Sequence, residues 1–154
     1  MTGRTTGRAS PLDAHIGFWM RLLSNQVSGG FRQLLEAKGS SVAEWVALRL
    51  LFDSGDTTHA DLMASLGMTK GAVSKIVTRL ETKGLASREP GGARREQVIL
   101  LTTRGRQLVP KLALLADSND AAFFGHLTVD ERDMLMALLR RLAMHHRISG
   151  VAAE

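Results

Sequence analysis

Apolar side chains recur at spacings of three and four from Ile16 onward, through Trp19, Leu23 and Val27, and continue over Phe31, Leu34 and Leu35. That spacing puts them on one helical face. It predicts a long first helix ending near Gly39, a residue suited to the left-handed turn past a helix end. Gly29 and Gly30 interrupt the pattern, marking a kink, a break or a close crossing with another helix. One long helix, kinked at that pair, is the expectation. Residues 42–53, VAEWVALRLLFD, are apolar around most of a helical circumference and so must be buried on several sides. ADLMASLG predicts a short third helix, capped by Thr57 or Thr58 and stopped at Gly67. A fourth spans Thr69 to Lys83 and ends at Gly84.

Beyond Gly84 the period changes. LASR and QVILL read as strands joined by a turn rich in glycine and arginine, EPGGARRE. Thr102 is placed to cap a fifth helix carrying Leu108, Leu112 and Leu115, with Pro110 inside it predicting a kink or a late start. TVDE, residues 128–131, reads as a capping box opening a sixth helix that aligns Leu135, Leu138, Leu139 and Leu142. No repeat is visible, and residues 1–10 read as a disordered basic tail. Two short helices joined at Leu66-Gly67-Met68 and followed by a hairpin make the plan of a winged helix-turn-helix. The predicted fold is therefore mainly α with a small β-hairpin wing. The winged lobe covers residues 40–105, and helical segments 11–39 and 106–148 flank it in one intertwined domain.

Charge sharpens the picture. The chain carries a net +5, and residues 70–111 hold ten Lys and Arg against Glu81, Glu89 and Glu96, a local surplus of seven. Concentration in one segment is the footprint of a nucleic-acid partner; a solvated basic face is the plainer account. Within residues 69–83, Val73, Ile76, Val77 and Leu80 share one arc. The opposite arc holds Gly71, Ser74, Lys75 and Thr78, with Lys70 and Arg79 at its edges and no carboxylate. Exposed helices normally mix both signs. This face suits a major groove: Gly71 permits close approach, Ser74 and Thr78 can bond phosphates or bases, and Lys75 or Arg79 can reach guanine or the backbone. Thr69 as N-cap aims the first-turn amides at a phosphate. Glu81 and Lys83, near the helix end, read as solvated.

Chemistry finds little support. With no cysteine there is no disulfide framework and no thiolate, which points to a reducing cytoplasm. No apolar run is long enough to span a membrane, and the first ten residues lack a secretory pattern. His15, His59, His126, His145 and His146 are scattered, and the adjacent last two point about 100° apart rather than pairing at i, i+4. No metal, cofactor or enzyme activity is expected. Two cues hint at a small-molecule site. Arg49 lies in an apolar arc with Val42, Trp45 and Val46, where a charge needs a partner. Asp53 or snorkelling is the plain answer. His15 and Trp19 pair at i, i+4, although a core tryptophan is the commoner reason. Together His15, Trp19, Trp45 and Arg49 would suit an aromatic carboxylate.

The run TKGAVSKIVTRLETKGLASREPGGARREQVILLTTRG, residues 69–105, resembles the recognition helix, wing and following helix start of the MarR family of bacterial transcription regulators. SSVAEWVALRLL resembles the family's second-helix opening, and the flanking segments match its dimerisation helices. The resemblance implies a homodimeric repressor on pseudo-palindromic double-stranded DNA, released by a small, often aromatic, anion. Wing contacts then fall on Arg94 and Arg95. The family's Asp-Arg-Arg is here Ala93-Arg94-Arg95, so the acid that steadies the wing arginine is missing and a looser tip is expected. Constitutive or architectural DNA binding, without a sensor, is the alternative. A module docking an acidic protein is a more distant one.

Overall fold

The computed structural model describes residues 9–92 and 96–148. A short 3-10 turn, Leu12–Ala14, leads into α1 (Ile16–Glu36), followed by α2 (Val42–Ser54), β1 (Thr57–Thr58), α3 (His59–Leu66) and α4 (Lys70–Thr82). The hairpin β2 (Ala86–Pro90) and β3 (Gln97–Leu101) comes next, then α5 (Thr103–Phe124) and α6 (Val129–His145). This is a mainly helical winged helix with a small antiparallel sheet.

Local chemistry explains most boundaries. Ser41 and Glu44, Thr58 and Asp61, and Thr128 and Glu131 each form a reciprocal capping box at the start of α2, α3 and α6. Thr58, rather than Thr57, caps α3. Thr57 instead opens β1, which pairs with β3 through Thr57–Ile99 and Thr58–Val98. Among the described residues the sheet therefore has three strands in the order β1-β3-β2, one more than the hairpin alone. Gly67 ends α3 in the left-handed region at φ +63°, which turns the chain sharply into α4.

Helix α1 runs unbroken through Gly29 and Gly30. Gly30 serves a close crossing: a Cβ there would stand 2.8 Å from Asn119 Oδ1 of α5, whereas one on Gly29 would meet no other element within 4 Å among the described residues. Asn119 Nδ2 in turn donates to the Val27 carbonyl at 3.1 Å. Nor does Pro110 delay α5, which starts at Thr103 on the Thr102 cap. Pro110 and Arg106 are both exposed, so the carbonyl left without its usual amide at Arg106 has access to water.

One core holds the winged lobe together. Leu35 from α1, Leu48 and Leu51 from α2, Leu62 from α3, Val73, Val77 and Leu80 from α4, Ile99 from β3, and Val109 and Leu112 from α5 are fully buried. By contrast α6 buries none of its residues, and Ile16, Trp19, Leu22 and Leu23 of α1 are all exposed.

Candidate nucleic-acid interface

Helix α4 is anchored by Val73, Ile76, Val77 and Leu80, all buried, as the spacing predicted. That fixes the opposite arc outward. Lys70, Gly71, Lys75, Thr78 and Arg79 are exposed, and Ser74 is half-buried. Ser74, Lys75, Thr78 and Arg79 line a shallow groove of about 310 Å³ along the helix. At its start Thr69 Oγ1 accepts from the Ala72 amide at 3.3 Å, which leaves the remaining first-turn amides facing outward. Among the described residues, nothing beyond its chain neighbours and its own helix backbone lies within 4 Å of where a Cβ on Gly71 would stand. Internal packing therefore does not demand a glycine there.

Neighbouring elements hold two hydroxyls of this face. The Arg88 guanidinium on β2 donates to Glu81 at 2.7 Å and to Thr78 Oγ1 at 3.4 Å, so the wing strand is bolted to the recognition helix. His59 Nε2, at the start of α3, lies 3.0 Å from Ser74 Oγ. Between α3, α4 and the hairpin is an open cleft of about 490 Å³, lined in part by His59, Lys70, Ser74, Arg88 and Glu96. Burial, then the charges of Arg88 and Lys70, hold the His59 imidazole below its ordinary pKa.

The expectation that Glu81 and Lys83 are merely solvated is corrected. Glu81 takes the Arg88 ion pair. Lys83 Nζ reaches both the buried Glu44 carboxylate and the Gly39 carbonyl at 2.7 Å. Sequence reading also passed over His59 and Arg88. Glu44 was the available signal for one of these pairs, because a carboxylate among apolar helix positions requires a cation or donors. Arg94 and Arg95 lie outside the described residues.

The candidate small-molecule residues do not converge within the protomer. His15 and Trp19 are exposed on the N-terminal part of α1, with Trp19 Nε1 donating to the Asp13 carbonyl at 2.8 Å. Trp45 packs edge-on against Phe31, farther along α1. Arg49 is exposed, pairs with Asp53 at 3.1 Å and rests over the Phe52 ring. Among the described residues no group of acids and histidines could hold a metal, and no helix is long and apolar enough to cross a membrane.

A carboxylate-poor recognition helix bolted to a wing is a DNA-reading arrangement, and the comparisons agree with it. The sequence model of the MarR family matches residues 41–95. This chain carries a MarR-family domain. The transcriptional regulator HosA of Escherichia coli O127:H6 is 26% identical over 100 residues, which are 64% of this chain and 74% of HosA. The transcriptional repressor NicR of Pseudomonas putida is 25% identical over 150 residues, 92% of this chain and 95% of NicR. Among solved structures, Bordetella bronchiseptica BpsR overlays with a TM-score of 0.75 at 23% identity, covering 88% of this chain and 98% of BpsR. Wild-type MarR of Escherichia coli, in its apo form, overlays at 0.71 with 21% identity over 88% of this chain and 98% of MarR. These overlays show the fold. The relatives are regulators of transcription rather than enzymes, and DNA-binding regulation is the function of the MarR-family domain here.

Proposed function

We propose that the chain is a homodimeric, cytoplasmic repressor that grips a pseudo-palindromic operator and lets go when a small aromatic anion binds. The carrying observation is the apolar stripe left bare on the terminal helices. Leu135, Leu138, Leu139 and Leu142 of α6 are 37–46% exposed along one side, and Ile16, Trp19, Leu22 and Leu23 of α1 are likewise open. Monomeric proteins rarely display contiguous apolar surface on this scale. In this reading residues 11–39 and 106–148 form the dimer base, and residues 40–105 form the DNA-binding lobe. Thr69, Lys70 and Gly71 meet the backbone; Ser74, Lys75, Thr78 and Arg79 face the major groove. Arg94 and Arg95 contact the adjoining phosphates or groove from the wing.

Release by an aromatic anion draws on a weaker likeness. The BpsR structure concerns regulation of its DNA binding by 6-hydroxynicotinic acid, and a Mycobacterium tuberculosis MarR-family protein was solved with p-aminosalicylic acid. His15, Trp19, Trp45 and Arg49 are the residues proposed for such a ligand. One observation favours the alternative of constitutive binding without a sensor: Arg49 is already paired with Asp53. Light scattering at micromolar concentration, followed by mobility shift on the intergenic DNA beside the gene with and without aromatic acids, tests the proposal. A monomer, or no shift at low salt, sinks it; a shift that no acid relieves leaves the constitutive reading.

A further inference from the structure

The cleft between α3, α4 and the hairpin poses a hydrogen-placement problem with one good solution. His59 Nε2 and Ser74 Oγ are 3.0 Å apart, and either atom can supply the proton. The other ring nitrogen, Nδ1, is buried and has no hydrogen-bond partner among the described residues. A proton on Nδ1 would bury an N–H donor with no acceptor, which costs more than burying an idle lone pair. The ring therefore carries its proton on Nε2 and donates it to Ser74. A second proton is disfavoured as well. Lys70 and Arg88 line the same cleft, the carboxylate there is Glu96, and the nearby Asp61 is committed to the Thr58 amide and hydroxyl.

This determines what Ser74 offers outward. With one lone pair taken by His59, its hydroxyl hydrogen finds no acceptor among the described residues. We infer that His59 is a positioning residue that turns Ser74 into an outward hydrogen-bond donor, and so biases base choice at the position Ser74 reads. A donor there favours major-groove acceptors: guanine O6 and N7, adenine N7 and thymine O4. The cytosine edge, which presents only an amino donor, gains nothing from that hydrogen and can meet only the one lone pair that His59 leaves free. The inference rests on the proposed placement of Ser74 in the groove, and adds to it the polarity of the contact and the residue that sets it.

Two measurements test it. Imidazole ¹⁵N spectra of the free protein at neutral pH should show His59 as the neutral tautomer protonated on Nε2; an Nδ1-protonated ring or an imidazolium overturns the inference without reference to DNA. Selection from a randomised duplex pool then compares wild type with Ser74→Ala, His59→Ala and His59→Gln. Ser74→Ala should flatten one position of the selected site. His59→Ala should raise the share of cytosine at that same position several-fold and leave other positions alone. His59→Gln, which keeps an N–H donor of similar reach, should restore the wild-type preference. A His59→Ala protein that binds more weakly with the preference unchanged is a merely structural loss and overturns the inference. Should Ser74→Ala leave every position unchanged, the base-reading role itself fails and this inference with it, even with the tautomer as expected.

Discussion

Lys83 Nζ sits 2.7 Å from Glu44 Oε2, joining the end of the recognition helix to the start of α2 across thirty-nine residues of sequence. The carboxylate is 5% exposed and the ammonium 38%. Ser40 Oγ and the Ser41 amide donate to the same oxygen, and Lys83 also donates to the Gly39 carbonyl. The pair fixes where α4 ends relative to the body of the lobe, and so the direction in which its other end points.

Replacing Lys83 by Met should therefore cost about 2–3 kcal/mol, because the acid stays behind in a buried site without its cation. The half-exposed lysine keeps this below the loss for a fully buried pair. Glu44→Gln should cost less, since an amide oxygen can still accept from Ser41 and Lys83. Urea unfolding of the two variants checks the order. Equal stability of Lys83→Met and wild type would mean the pair is idle.

Acid should expose His59 before any carboxylate. Its pKa is lowered chiefly by burial, then by Arg88 and Lys70, so the fold favours the neutral ring. A lowered folded pKa contributes stability that is complete above the unfolded value, about 6.5, and is lost as pH falls through the folded one. Asp61 and Glu131 are also lowered, by their capping bonds to Thr58 and Thr128, but their contributions fade only in the carboxylate range. Wild type should thus lose stability relative to His59→Gln just below pH 6.5, a window no capping acid reaches. Parallel pH profiles of the two proteins would remove His59 as the cause.

Leu138 lies on the bare side of α6, 43% exposed, in a helix with no buried residue. A glutamate there touches little within the protomer, so Leu138→Glu should leave the winged lobe folded. In the proposed dimer the same charge would be desolvated against an apolar partner surface. Light scattering should show a monomer at concentrations where wild type is dimeric, with operator affinity falling by an order of magnitude or more. A dimeric Leu138→Glu protein would move the interface elsewhere.

Patterns within one helix were legible in the sequence. The buried arc Val73, Ile76, Val77 and Leu80 follows from spacing alone, as does the capping box of Thr128, because each is decided within a few residues; Thr58 was one of two caps offered for α3, and the Ser41 box went unread. What escaped lies between elements. A strand as short as Thr57–Thr58 has no period to detect, and only its pairing with β3 defines it. Arg88 with Glu81, His59 with Ser74 and Lys83 with Glu44 depend on how α2, α3, α4 and β2 pack, which no local count of charges reveals. Gly30 was intermediate: its sequence signalled something unusual, and only the Asn119 side chain on α5 shows that it is a crossing.

Gly71 offers the sharpest separation of folding from function. It occupies the first turn of α4, where a methyl group would meet no other element within 4 Å among the described residues. Alanine is the better helix former by up to about 1 kcal/mol, so on folding grounds alone the glycine is a defect. The proposed interface supplies a reason: without a side chain, the backbone amides of Gly71 and its neighbours can come up against a phosphate. Gly71→Ala should therefore raise the unfolding midpoint while weakening binding several-fold on every duplex alike, since a methyl that holds the helix off the backbone does not discriminate between bases. Thermal melts and DNA titrations on the same preparations check both halves. Greater stability with undiminished affinity would show that the start of α4 does not approach the DNA, and would shift the contact toward Lys75 and Arg79 farther along the helix.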